Sequence, residues 1–181
     1  MRLSQWTRAI AVALAATAAG LPSGAAAQLA DADASSRAII LRPNTLVKVE
    51  DLDFGSMISG PTGGTVTVSA LTGARTTAGG VTPVGGSAQR AEFHGTGGAV
   101  LIIITGSNSA SLARVGGGAP NMTASLTRAR QTAGGPVALP NTAIVFGGGF
   151  RIFYVGGTLT VPANQPPGDY VGSFTLTVNY I

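Results

Sequence analysis

Beyond residue 27 the apolar positions of this chain recur two apart, not three or four apart. "TVTVS" sets Val66 and Val68 against Thr65 and Thr67, and the closing "SFTLTVNY" sets Phe174, Leu176 and Val178 against Thr175, Thr177 and Asn179. A period of two places alternate side chains on opposite faces of a strand, so the first set is predicted to point inward and the second outward. The apolar runs are short, rich in Val, Ile, Thr and Phe, and bounded by glycine pairs or prolines, and no helical period develops. Strands are predicted near Leu46–Val49, Thr65–Ala70, Gly80–Val84, Arg90–His94, Ala99–Thr105, Met122–Thr127, Ala143–Phe146, Phe150–Val155, Thr158–Val161 and Tyr170–Tyr180. Short strands at that spacing point to an all-β, antiparallel β-sandwich rather than a closed barrel. Two runs break the alternation: Val100–Ile104 in "AVLIIITG" and Ile152–Val155 in "FRIFYVGG" are apolar on both faces. One face of each meets the core of a sandwich, so the other needs a covering loop or another molecule.

The start of the chain reads differently. Arg2 and Arg8 precede an apolar stretch from Ala9 to Ala19, and Ala25 and Ala27 form an A-x-A pair before Gln28. This is the pattern of a secretory signal peptide over residues 1–27, cut after Ala27 to leave Gln28 first. The apolar core, roughly a dozen residues, is well short of the ~20 of a bilayer span, so no stable membrane span is expected. Export to the periplasm, the cell surface or the medium follows. Residues 28–45 are then a leader or a first strand, and residues 46–181 the β-sandwich domain.

Composition narrows the chemistry. Of 11 basic residues, two leave with the signal; the remaining nine stand against 7 acidic ones, an excess of two that is too small and scattered for nucleic acid. There is no cysteine, so stability rests on burial and sheet hydrogen bonds, and thiol chemistry is excluded. His94 is the one histidine, with Glu92 on the same side of a strand, but no G-x-S-x-G elbow accompanies them and a structural role is the simpler reading. A lone histidine does not make a zinc site. Glu50, Asp51 and Asp53 crowd "VKVEDLDFGS" without a D-x-D-x-D-G calcium pattern, and read as the wet face of a strand entering a turn at Gly55. The glycine runs at Gly63–Gly64, Gly79–Gly80, Gly116–Gly118 and Gly147–Gly149 fit no phosphate-binding fingerprint and read as turns and bulges. Arg128 and Arg130 share one side of "SLTRARQ" and read as charges protecting a strand edge. No catalytic residue, cofactor or metal ligand is assigned.

"EDLDFGSMISGPTGGTVTVS", "GGVTPVGGSAQRAEFHGTGG" and "LTVPANQPPGDYVGSFTLTVNYI" resemble a family of short secreted bacterial proteins known as domain of unknown function four-four-zero-two, over about Ile40 to Ile181. The ending, with Tyr180 near the terminus, also resembles more loosely the subunits of chaperone-assembled pili and spore-coat-U-like fimbriae. That second resemblance implies an immunoglobulin-like sandwich and assembly by donated strands. Phe174, Leu176, Val178 and Tyr180 would then serve strand pairing or assembly, with the chain itself or related surface subunits as partner. The expectation is a non-enzymatic, exported structural or adhesive protein of the cell surface, a fimbria-like subunit among the candidates. The alternative is a periplasmic or secreted module that binds a ligand such as a carbohydrate.

Overall fold

A computed structural model describes residues 45–97, 101–146 and 148–180, together with residues 38 and 40. The expected signal peptide and its expected cleavage residues Ala25, Ala27 and Gln28 lie outside the described residues, as does most of the segment read as a leader. All described strands belong to one compact unit, residues 39–181. They are β1 Thr45–Glu50, β2 Met57–Val68, β3 Arg75–Pro83, β4 Ala91–Thr96, β5 Leu101–Gly106, β6 Ser109–Arg114, β7 Met122–Thr132, β8 Gly135–Leu139, β9 Ala143–Phe146, β10 Arg151–Val161, β11 Tyr170–Val171 and β12 Leu176–Tyr180. The described residues contain no helix, and so none long and apolar enough to cross a membrane.

The all-β, antiparallel architecture is the one expected. The larger sheet runs β1–β4–β10–β7–β6–β11, with β2 and β3 added beside β10 and β8 beside β7; the smaller runs β12–β5–β9. The larger sheet is curled into a half-barrel, because two of its long inner strands, β10 and β7, change neighbours partway along. On one edge of β10, Arg151–Val155 pairs with β4 and Gly157–Val161 with β2, while β7 lies along its other edge. Likewise β7 pairs first with β6 and then with β8. Gly156 sits at the changeover, where a Cβ atom would lie 2.3 Å from the Val68 carbonyl oxygen and 2.4 Å from the Ala70 nitrogen. Only glycine lets β10 approach β2 that closely.

Both sheets close on one core. Val66, Val68, Phe93, Leu126, Phe153, Val155 and Leu159 of the larger sheet pack with Ile102, Ile104, Ala143 and Val145 of the smaller. The alternation read in "TVTVS" holds, with Val66 and Val68 both completely buried. The second apolar face of β10 is covered by the chain itself. Tyr154 packs with Ile152, Ala129 and Ala70, and the Arg90 guanidinium lies 3.4 Å above its ring. Arg90 is held there by donating to the carbonyls of Ala70 and Leu71. On β5, Ile102 and Ile104 face the core while Ile103 is half-buried on the outer face, beside exposed Ile144 of β9.

Several boundaries differ from the sequence reading. The separate strands near Phe150–Val155 and Thr158–Val161 are one strand, β10, because Gly156 and Gly157 continue it instead of turning it. Conversely, Tyr170–Tyr180 divides into β11 and β12, which pair with β6 and β5 respectively. Strands β6 and β8 were not anticipated, since "SASLAR" and "GPVAL" are built of small side chains. In the β2–β3 hairpin, the glycines opposite one another at Gly64 and Gly79 mark an irregular register, not a turn. Gly79 has φ of +75°, and a Cβ on Gly64 would lie 2.4 Å from the Ala78 carbonyl oxygen.

Candidate functional site

The half-barrel leaves a seam. Among the described residues β1 has β4 as its one strand neighbour, β11 has β6, and β12 has β5. The β12 register is Leu176↔Gly106, Val178↔Ile104 and Tyr180↔Ile102, so the opposite edge of β12 carries no described strand. The side chains that border this gap are apolar but incompletely covered. Leu46, Leu52, Phe174, Leu176 and Val178 are among the half-buried side chains packed against the core. Phe174 meets Phe93 edge-on, with ring centroids 6.1 Å apart. Its exposed neighbours Thr175 and Thr177 face away, as the alternation predicted.

Two adjoining cavities, neither lined by β1 or β12, lie along the inner face of the larger sheet. One, of about 820 Å³, lies between the segments Leu52–Ser59 and Gln165–Tyr170, over Leu112, Met122, Leu159 and Val161. The other, about 330 Å³, lies between Asp51–Phe54 and Tyr170–Phe174, over Ala110, Leu112, Ala124 and Leu126. The wall formed by the β10–β11 loop is fixed by its own hydrogen bonds. Tyr170 Oη donates to the Pro166 carbonyl at 2.8 Å, Gln165 Nε2 to the Pro120 carbonyl at 2.6 Å, and Ser59 Oγ to the Gln165 carbonyl at 3.3 Å. Gln165 Oε1 is shielded from solvent without a hydrogen-bond partner. Asp51, Asp53 and Asp169 stand among the lining residues, and no lining residue is Lys, Arg or His. The cavities thus have an apolar floor and polar walls, with Arg75 packed against Gly55 and Arg114 against Gly168 beside the lining carboxylates.

The first strand does not pair with the terminal one. Of the segment around Ser35 to Val49, the described strand β1 pairs with β4 in the larger sheet, Val47 opposite His94 and Lys48 opposite Phe93. The rest of that segment, residues 38 and 40 apart, lies outside the described residues.

The other candidates each find a local partner. His94 Nε2 and Glu92 Oε1 are 2.5 Å apart on the outer face of β4, with the Phe150 ring edge-on to the imidazole at 5.0 Å. Among the described residues no hydroxyl is hydrogen-bonded to this pair, and no group of three acidic, His or Cys side chains gathers to hold a metal ion. Lys48 Nζ donates to Asp51 Oδ1 at 2.7 Å, Gln89 Nε2 to Glu50 Oε2 at 3.1 Å, and the Gly55 amide to Asp53 Oδ1 at 2.7 Å, closing the turn expected at Gly55. Arg128 departs from expectation. It protects no edge, since β7 lies inside the sheet, and its side chain is 3% exposed. The cause is local: the alternation along β7 carries Met122, Ala124, Leu126 and Arg128 to the same inner face.

The fold defines the class, an antiparallel all-β domain in which, among the described residues, β12 is paired along one edge alone. Residues 45–180 match the family described as "Domain of unknown function (DUF4402)", and the chain belongs to that family. No curated protein and no solved structure matches the chain.

Proposed function

We propose that this chain is an exported, non-enzymatic structural unit of the cell surface that joins copies of itself, or related subunits, by strand addition along the seam. The observation that carries this reading is β12, a strand with one described neighbour whose inward side chains are only half covered. A strand edge presents a row of backbone donors and acceptors, and an added strand satisfies them while its alternate side chains pack on the half-buried side chains beside it. Each backbone hydrogen bond gained contributes about 0.5–1.5 kcal/mol, and burial of the half-exposed Phe174, Leu176 and Val178 adds to it. Such a contact is heterologous: the surface that gives differs from the one that receives, so it propagates instead of closing.

Light scattering after size exclusion tests this on two forms, the chain from Gln28 and the chain from Thr45. The shorter form retains every described strand and the whole core, so it folds. The longer form is expected to give a concentration-dependent ladder of masses and the shorter a monomer. Monomers from both would defeat the proposal.

The cavity of about 820 Å³ and its orphan Gln165 Oε1 favour a second reading, a ligand-binding module, because specific pockets span about 300–1,000 Å³. Thermal melting of the shorter form against a panel of neutral sugars distinguishes the two: a saturable rise in melting temperature supports the ligand, and no rise leaves strand addition.

A further inference from the structure

We infer that one end of the domain docks on the surface of an anionic lipid bilayer, inserting Phe146 and Phe150 among headgroups that Arg130 and Arg151 attract. This end uses no residue of β12 and does not rest on strand addition. Its apolar part is the connection between β9 and β10, where two phenylalanines flank three glycines in "VFGGGFR". Phe146 is 74% exposed and Phe150 60%. The alternation of β9 buries Ala143 and Val145 and turns Ile144 and Phe146 outward, beside half-buried Ile103 and Leu101 of β5. Phe150 stands on the outer face of the larger sheet, edge-on to His94. Gly148 and Gly149 between the rings are exposed, and a Cβ on Gly149 would meet nothing within 4 Å, so no side chain holds the rings back from a flat surface. Large apolar groups exposed at such a tip leave water by entering the headgroup layer.

The charged part lies at the same end, on the inner face of the larger sheet. Arg130 of β7 is directly opposite Phe153 of β10, and Arg151 is two residues before Phe153, so both arginines project to the side on which Phe153 is buried. Both are half-buried. Loss of hydration, and then the neighbouring charge of Arg130, lower the Arg151 pKa, so the two guanidiniums share a positive field that an anion offsets. Of the described acidic side chains, Glu92 stands two residues farther from this end of β4 than His94 and is hydrogen-bonded to it. Glu50 and Asp51 lie at or just past the far end of β1, and Asp53 and Asp169 line the larger cavity.

The combination of exposed rings and cations selects the occupant. A second copy of the chain meeting this end across a two-fold axis would set arginine against arginine, and like charges oppose that contact. An acidic polysaccharide would satisfy the arginines and leave the rings in water. An anionic bilayer serves both, with the acyl boundary for the rings and phosphate oxygens for the guanidinium forks.

Vesicle flotation with the chain from Gln28 tests this, using phosphatidylcholine alone and an equal mixture of phosphatidylcholine and phosphatidylglycerol. The chain is expected to float with the mixed vesicles alone, and less as salt is raised. Arg130→Gln with Arg151→Gln should weaken binding about fivefold per arginine. Phe146→Ser with Phe150→Ser should weaken it about tenfold or more. Each variant is first matched to the parent by circular dichroism. Phe146→Trp reports the contact without removing apolar surface, because Trp6, the chain's one tryptophan, precedes Gln28. Its emission is expected to shift to the blue on mixed vesicles, while Val115→Trp, exposed beyond β6 at the opposite end of β7, is expected to keep its emission. Flotation equal on both vesicles or on neither, variants that bind as the parent does, or an unshifted Phe146→Trp overturns the inference. So does binding to a soluble acidic polysaccharide in place of the vesicles.

Discussion

Arg128 is buried without an ion pair with a carboxylate among the described residues, and its guanidinium instead ties two connections together. Nη1 donates to the Asn141 carbonyl at 3.2 Å and to Asn141 Oδ1 at 3.3 Å; Nη2 donates to the Ser107 carbonyl and, at 3.1 Å, to Asn108 Oδ1. Loss of hydration on burial lowers its pKa. Arg128→Leu should cost about 2–4 kcal/mol in urea denaturation, because acceptors on both connections lose their donor. Arg128→Lys should recover less than half of that, since a single ammonium cannot reproduce the fork. If the Leu variant melts with the parent, these hydrogen bonds are not what holds the connections. The seam gives a second comparison. Phe174→Asp places a carboxylate where a half-buried ring met Phe93, and about 2–4 kcal/mol should be lost. Thr177→Asp, exposed two residues before Asn179, should change stability by less than about 0.5 kcal/mol. Equal melting of the two would reverse the assignment of faces on β12. The faces were readable from alternation, as was the turn at Gly55. The burial of Arg128 was not, because no one-dimensional pattern shows that carbonyls from two distant turns converge on it.

At the level of elements, β10 organises the molecule. Its central glycines carry it past two successive neighbours on one edge, and this is what bends the sheet. Gly156→Ala should destabilise by about 2–4 kcal/mol because the added methyl meets backbone of β2 and of the turn after it, neither of which can rotate away. Gly134→Ala is the control: its Cβ would meet nothing within 4 Å, and its melting should stay within about 0.5 kcal/mol of the parent. Comparable losses at both glycines would mean that chain stiffness, not close approach, governs Gly156. Glycine read from sequence as punctuation splits this strand in two, since the same residue ends strands and allows them to touch. Strands β6 and β8 escaped notice for the opposite reason. Their small side chains give no hydrophobic signal, and they are strands because β7 offers them an edge.

For the whole molecule, the incomplete edge has a dynamic signature. Amides of β4 and β10 lie between two strands or under the core, while the outer edge of β12 has no described partner. Hydrogen exchange on the chain from Thr45 should therefore be fast along Leu176–Tyr180 and slow in Phe153–Val155. On assembly of the chain from Gln28, protection should rise along β12 and change little in β10. Protection of β12 already complete in the shorter form would show that the seam closes without a donor.

The sequence by itself determined the all-β class, the two faces of most strands and the alternation of the terminal strand. These are properties of neighbouring residues: alternation, β-branched side chains and turn-forming glycines act within a few positions. Only the tertiary structure decided that β1 joins β4, that β10 runs unbroken through Gly156 and Gly157, and that, among the described residues, β12 has β5 as its one strand neighbour. Those outcomes depend on which distant edges meet and how closely two backbones approach. The larger cavity shows the division plainly: Asp53 and Asp169 are far apart in the chain, and only the curl of the half-barrel brings them to one lining.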